Sequence, residues 1–133
     1  MTLQKAVNFH DYFRCYVVGQ KKVHIMHYDP RRPHAHRYVL DAAPIDPAMY
    51  RRVEGDCLKL CRALGYDLNT VEFAVEDGIP YAIDFLNPAP DADLPSVGRH
   101  NFDWIVDAVA EFAVEEALKE PKPVEMRWAS FLS

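Results

Sequence analysis

The feature that most constrains the fold is a pair of apolar segments joined by a short polar connection, residues 71–85. Val71-Glu72-Phe73-Ala74-Val75 leads through Glu76-Asp77-Gly78 into Tyr81-Ala82-Ile83-Asp84-Phe85. Large apolar side chains recur at every second position, which is the period of a half-buried strand. The glycine gives the connection the backbone freedom that a tight turn requires. The two segments therefore predict an antiparallel β-hairpin.

The register of this hairpin follows from the need to place the large apolar side chains together on one face. Only a connection with an odd number of residues around Gly78, three or five, achieves this. In that register Ala74 lies opposite Ala82, and Glu72 lies opposite Asp84. We therefore expect two carboxylates about 5 Å apart. They would lie beside two small side chains that leave room above the sheet.

Two like charges at opposite positions destabilise a sheet unless solvent or a cation separates them. Carboxylate oxygens and an amide oxygen are ligands that suit Mg²⁺ or Mn²⁺. Asn87 follows Asp84 by three positions, and a β-bulge would bring its side chain to the same face. In the alternative interpretation, the two carboxylates merely line the solvent-exposed face of a half-exposed sheet. The spacing alone leaves both interpretations open.

A second hairpin is expected nearer the amino terminus. Residues 13–18 and 23–28 are rich in aromatic and β-branched residues and flank a Gly19-Gln20 turn. A proline-bounded loop follows them, and residues 37–40 predict a short further strand. The strands are thus arranged as hairpins rather than as βαβ units.

Two helices are expected to cover this sheet. Asp46-Pro47 has the signature of a helix N-terminus, and the apolar residues after it recur every three or four positions as far as Gly65. A second helical pattern spans 102–118, after a polar, proline-rich loop over 87–98. The fold class predicted is α+β, an antiparallel sheet built from hairpins and covered by two main helices.

Length and composition narrow the classes of function. The 133 residues fit one domain, for which we expect the bounds 1–120 with a tail over 121–133. A net charge of −5 argues against binding to nucleic acid. No apolar run approaches the roughly 20 residues of a membrane helix, and no signal-peptide core follows the first methionine. We therefore expect a cytoplasmic protein without nucleic-acid or membrane partners.

Residues 64–90 resemble the end of an ATP-grasp domain. In that family an "LG" helix end, here Leu64-Gly65, precedes an acidic strand residue, here Glu72. A later strand ends in an acidic residue and an asparagine followed by proline, matched here by Asp84 and Asn87-Pro88. The family also carries an arginine on the strand before a "VxG" turn, matched by Arg14 ahead of Val17-Val18-Gly19. The family pattern has one residue between the acid and the asparagine, whereas this chain has two.

The resemblance implies a cofactor set and a reaction. Glu72, Asp84 and Asn87 would bind Mg²⁺ (or Mn²⁺) bridging ATP phosphates, and Arg14 would contact phosphate as the catalytic and cofactor-binding residue. The substrate would be a small-molecule carboxylate, activated as an acyl phosphate. The half of the domain that supplies the ATP-binding lysines is missing from this sequence. We therefore expect that half as a partner and no activity from this chain alone.

A second class of function stays open from the sequence. A non-catalytic α+β module used for oligomerisation or partner binding would also fit, its carboxylates merely solvated. An uncovered cleft face and an aromatic tail would favour a homo-oligomer in either case, since large exposed apolar patches are rare on monomers.

Overall fold

A computed structural model of the chain describes residue 3 and residues 5–120. It contains four β-strands, three α-helices and one turn of 3₁₀-helix. In chain order these are β1 (Asp11–Val18), β2 (Lys22–His27), the 3₁₀ turn (His34–His36), α1 (Pro47–Leu64), β3 (Leu68–Glu76), β4 (Ile79–Asn87), α2 (Leu94–Val97) and α3 (Arg99–Ala117). The tail predicted over 121–133 lies outside the described residues.

The four strands form one antiparallel sheet in the order β2-β1-β3-β4. The two predicted hairpins, β1–β2 and β3–β4, are both present. They are joined by pairing of β1 with β3, in which Arg14 lies opposite Glu72. The predicted α+β class with a hairpin-built sheet is therefore confirmed, and the central pairing brings residues 58 positions apart side by side.

Helices cover both faces of the sheet. α1 packs on one face, called here the α1 face, where Val53, Cys57 and Cys61 are fully buried against strand residues such as Phe73. α3 packs on the other, the α3 face, through Ile105 and Ala108. Because successive strand residues point to opposite faces, each strand contributes side chains to the core on both faces of the sheet.

The boundaries of α1 follow from its end residues, as the sequence predicts. The Asp46 carboxylate accepts hydrogen bonds from the Ala48 and Met49 amides at 2.9 and 3.0 Å, which satisfies two of the free donors at the helix start. Gly65 ends the helix with φ of 76°, a left-handed conformation that costs glycine little.

The predicted odd-length connection of the β3–β4 hairpin is wrong. The turn has two residues, Asp77 and Gly78, both with positive φ (53° and 75°), between the paired residues Glu76 and Ile79. Such a turn matches the natural twist of a hairpin. It places Ala82 opposite Phe73 on the α1 face, so the predicted pairing of Ala82 with Ala74 is also wrong.

The pairing of Glu72 with Asp84 is nevertheless confirmed. The register shifts by one residue between Phe73 and Glu72, where β4 contains the extra residue Ile83. This bulge restores the pairing that an odd turn would have produced. β4 is an edge strand whose large side chains remain partly exposed, so burial did not dictate its register.

Two smaller expectations also need correction. The strand predicted at 37–40 is only a single bridge, Tyr28 to Tyr38, within the connection from β2 to α1. The predicted loop over 87–98 contains the short helix α2, and α3 starts at Arg99, three residues earlier than expected. In the described part of the chain, none of the helices is long and apolar enough to cross a membrane.

Candidate functional site

Three of the four predicted site residues lie in one row across the sheet. Arg14 on β1 is opposite Glu72 on β3, which is opposite Asp84 on β4. The row lies on the α3 face, since Glu72 alternates with Val71 and Phe73 of the α1 face. In the next row Thr70 pairs with Asn87. The fold therefore gathers all four predicted residues at the end of β4.

A bulge places Asn87 on the same face as Asp84. Three residues of β4 span the two steps from Glu72 to Thr70, as the sequence prediction required. The fully buried amide of Asn69 holds this bulge: its Nδ2 donates to the Phe85 carbonyl at 2.9 Å, and its Oδ1 accepts from the Asn87 amide at 2.9 Å. Asn69 thereby supplies the bonds that an irregular strand cannot make with its neighbour.

Glu72 is held by two partners. The Tyr12 hydroxyl donates to Oε2 at 2.6 Å, and the Arg14 Nη1 lies 3.5 Å from Oε1. The Glu72 side chain is only 16% exposed. Both carboxylate oxygens of Glu72 thus already have partners within the protein.

Arg14 is enclosed on several sides and only 12% exposed. Its guanidinium carbon lies 5.4 Å from the ring centre of Tyr28 and 6.0 Å from that of Tyr38. In the amide orientation that satisfies its neighbours, the Asn87 oxygen accepts from Arg14 Nη2 at 3.3 Å and from Thr70 Oγ1 at 3.2 Å. The guanidinium therefore bridges Glu72 and Asn87.

Arg14 and the neighbouring tyrosines Tyr12 and Tyr16 have pKa values above their ordinary ones. Burial lowers the pKa of Arg14, but Tyr38 and Glu72 beside it outweigh that effect, so the pKa lies above its ordinary value. Burial and then the hydrogen bond to Glu72 raise the pKa of Tyr12 well above its usual range. Burial and the nearby Asp91 raise the pKa of Tyr16 to about 12.

Asp84 differs from Glu72 in being exposed. Its Oδ1 accepts one long bond, 3.3 Å, from the Leu86 amide. Glu72, Asp84 and Asn87 fit a magnesium ion by donor type, because all three offer hard oxygen ligands on one face and Asp84 is open to solvent. Within residues 5–120, no three His, Cys, Asp or Glu side chains group closely enough to hold a metal. The amide of Asn87 would therefore be needed as a ligand.

Sequence reasoning missed the aromatic surroundings of Arg14. Tyr12 and Tyr16 flank Arg14 at two-residue spacing on β1, so they share its face. That alternation was a signal that could have been used. Tyr28 directly follows β2, and its amide donates to the Tyr12 carbonyl at 3.0 Å, so the register of the β1–β2 hairpin places it on this face as well. Tyr38 gave no such signal, because its approach depends on the path of the connection after β2.

The fold is that of an ATP-grasp subdomain. D-alanine–D-alanine ligase from Bacillus anthracis, an ATP-grasp enzyme, has a similar structure: in its complex with ATP the TM-score is 0.60 at 18% identity, over 79% of this chain and 38% of the ligase chain. A second structure of that ligase gives the same TM-score and identity over 84% and 42%.

This chain thus spans about 40% of the length of the ligase it resembles. At this level of identity the likeness establishes the fold. No family model and no curated protein sequence matches the chain.

Proposed function

We propose that this chain is the C-terminal part of an ATP-dependent carboxylate–amine (or thiol) ligase-like protein and binds Mg-ATP. The observation that carries the proposal is the row of Arg14, Glu72 and Asp84, with Asn87 bulged onto the same face. A guanidinium that can bind phosphate, beside three oxygen ligands for the metal, is the arrangement that a magnesium nucleotide requires. The fold shared with an ATP-bound ligase gives independent support.

The four residues divide between two roles in this proposal. Glu72, Asp84 and Asn87 would hold Mg²⁺ (or Mn²⁺), which would bridge phosphate oxygens and offset their charge. Arg14 would contact the phosphates, and the Tyr28 and Tyr38 rings fix its position beforehand. A guanidinium that is already oriented loses less freedom when it binds.

The reaction follows from these roles. A carboxylate oxygen of the substrate attacks the γ-phosphorus of ATP, which forms an acyl phosphate and releases ADP. An amine or thiol then attacks the acyl carbon, and inorganic phosphate leaves. The protein contributes chiefly positioning and charge neutralisation, which is the usual basis of catalysis in phosphoryl transfer.

The proposal includes a partner. The N-terminal half of the nucleotide cleft would come from sequence outside these 133 residues, consistent with the 38% of the ligase chain that this chain covers. We expect no ligase turnover from the chain alone. We further propose a cytoplasmic protein that acts on a small-molecule carboxylate and has no nucleic-acid or membrane partner.

Binding of metal and nucleotide can be tested on the chain itself. We would add Mn²⁺ with a non-hydrolysable ATP analogue to isotopically labelled protein and record the paramagnetic broadening of amide signals. We expect the strongest broadening at Glu72, Asp84 and Asn87. Asp84→Asn should weaken Mn²⁺ binding at least tenfold.

Asp77→Asn is the matched control, because it removes the same charge at the far end of the same hairpin. It should bind Mn²⁺ like the parent. Broadening centred elsewhere, or an unchanged affinity in Asp84→Asn, would contradict the proposal. Once the N-terminal half of the cleft is supplied, Glu72→Ala and Asp84→Ala should each abolish phosphoryl transfer.

A non-catalytic binding module is the second candidate, and exposed apolar side chains favour it. The edge strand β4 exposes Ile79, Tyr81 and Leu86 by 49, 41 and 59%, and α3 exposes Val114 by 60%. Such surfaces are typical of contacts with a partner or a second copy. Sedimentation that shows a homo-oligomer, together with no Mn²⁺ binding, would favour the module over the ligase.

A further inference from the structure

The outer edge of β2, on the side away from β1, carries backbone groups without a partner strand. The Tyr28 amide donates across the hairpin to β1 at 3.0 Å, so alternate residues of β2 counted back from Tyr28 direct their backbone groups inward. The intervening residues Val23, Ile25 and His27 direct theirs outward. In the described part of the chain, the one backbone bond to this edge runs from the Val39 amide to the His27 carbonyl, at 3.0 Å. An open edge of this kind is a template for another strand.

A cavity of about 480 Å³ lies along this edge. Consecutive residues of β2, 24–27, line it, and because their side chains alternate between the two faces of the sheet, the cavity spans both. On the α1 face its wall is apolar and includes Ile45 and Tyr50, which pack on the core. On the α3 face its wall is polar and includes Asn101. Leu40, also in the wall, is 67% exposed. The cavity therefore offers an apolar wall, and room for a large side chain, at the end of the open edge.

The end of α3 is fixed beside the start of β2. Lys22 forms an ion pair with Glu111, and Lys21 Nζ lies 3.2 Å from Glu115 Oε2. α3 ends at Ala117, close to these contacts. The sequence that follows α3 therefore starts near the turn from which β2 begins.

The sequence after residue 120 has the pattern of a strand with one apolar face. Apolar and charged side chains alternate along Val124, Glu125, Met126, Arg127 and Trp128. This is the period of a half-buried strand. In extended form the eight residues 121–128 would span about 26 Å, and the six residues of β2 span about 20 Å. The segment is therefore long enough to run the whole length of β2 and reach the cavity.

We propose that residues 124–128 pair with the outer edge of β2 as a fifth strand of the sheet. The strand would run parallel to β2, because it starts where β2 starts. Its three apolar side chains would lie on the α1 face, with Trp128 in the cavity beside Ile45 and Tyr50. Its two charged side chains would lie on the α3 face, toward the polar wall. The proposal does not depend on the proposed ligase function.

The covalent tether favours the chain's own segment over a separate peptide. Only residues 118–123 separate the end of α3 from the proposed strand, so pairing requires no association of two molecules. A link this short gives an effective concentration on the order of millimolar. Main-chain bonds to an edge strand provide affinity, and a pocket for one side chain provides the register.

Amide hydrogen exchange of the complete, isotopically labelled chain tests the pairing. The double variant Glu125→Pro/Met126→Pro removes two backbone donors from the proposed strand. We expect the outward amides of Val23 and Ile25 to exchange at least tenfold faster in this variant than in the parent. The Val71 amide, in the centre of the sheet, should exchange equally in both, which would show that the fold is intact.

A matched variant places the same two prolines beyond the proposed strand. Phe131→Pro/Leu132→Pro should leave the exchange of the two β2 amides at the parental rate. The position of the indole provides a second readout. In the parent, nuclear Overhauser effects should connect the Trp128 ring to the Ile45 and Tyr50 side chains, and the first double variant should lose them.

The proposal is overturned if the two β2 amides exchange at the same rate in the parent and in Glu125→Pro/Met126→Pro. It is equally overturned if the Trp128 ring contacts a different surface, or if both double variants accelerate exchange alike. Sedimentation gives the remaining outcome. A dimer of the parent that Glu125→Pro/Met126→Pro converts to a monomer would mean that a second copy supplies the strand, and would reject pairing within one chain.

Discussion

The two carboxylates of the candidate metal site should differ sharply in their effect on stability. Glu72 is mostly buried, accepts the Tyr12 hydroxyl at 2.6 Å and pairs with Arg14 at 3.5 Å. Asp84 is exposed and accepts one long bond from the backbone. We therefore expect Glu72→Ala to destabilise the fold and Asp84→Ala to leave it nearly unchanged.

The magnitude follows from what each change removes. A hydrogen bond to a charged group contributes about 1.5–3 kcal/mol. Loss of one member of a fully buried ion pair costs about 3–5 kcal/mol. Here Asn87 and the rings of Tyr28 and Tyr38 still hold Arg14, which lowers that cost. We expect a loss of about 2–3 kcal/mol for Glu72→Ala and about 0.5 kcal/mol or less for Asp84→Ala.

Equilibrium unfolding in urea measures this difference in free energy directly, and thermal unfolding reports it as a shift in Tm. For a chain of this size about 1 kcal/mol corresponds to a shift of roughly 4 °C in Tm, so Glu72→Ala should melt about 8–12 °C lower than the parent. Tyr12→Phe, which removes only the hydroxyl, should account for part of the loss and add little to Glu72→Ala. Equal stability of Glu72→Ala and Asp84→Ala would refute the reasoning.

Two further predictions concern the support of the site. Asn69→Ala removes both hydrogen bonds that hold the β4 bulge, so it should lower the free energy of unfolding in urea by about 2–4 kcal/mol. It should also weaken Mn²⁺ binding, because the Asn87 side chain would no longer be held at the site. Burial raises the pKa of Tyr12, Tyr16 and Tyr38 above the value near 10 of an unfolded tyrosine. The contribution of these tyrosines to the free energy of unfolding should therefore be complete below about pH 10. Above that pH it should fall by about 1.4 kcal/mol per pH unit for each tyrosine.

Each of these has a clear contrary result. An Asn69→Ala protein with parental stability and Mn²⁺ affinity would mean that the bulge forms without the buried amide. For the tyrosines, urea unfolding between pH 8 and 11.5 is compared for the parent and Tyr12→Phe. The variant should show a shallower alkaline decline, and a stability that rises or stays level above pH 10 in the parent would contradict the assignment.

The sequence predicted elements that depend on local patterns. The start of α1 at Asp46, its end at Gly65 and the two hairpins all follow from cap residues, turn residues and periodicity. It also predicted the opposition of Glu72 and Asp84, although through a turn length that proved wrong. The β4 bulge at Ile83 compensated for that error, and no local signal identified it.

The sequence by itself predicted the fold class, and alternation along the strands predicted that Glu72 and Asp84 share a face. Arg14 was predicted from the resemblance to the ATP-grasp family, and Asn87 from that resemblance and its position after Asp84. Only the tertiary structure decided how they interact. The pairing of β1 with β3 sets Arg14 against Glu72. The buried side chain of Asn69, on the α1 face, holds the bulge that turns Asn87 toward them. The Tyr38 ring reaches Arg14 through the long connection from β2 to α1. The path of that connection depends on packing against the whole sheet, which no local pattern encodes.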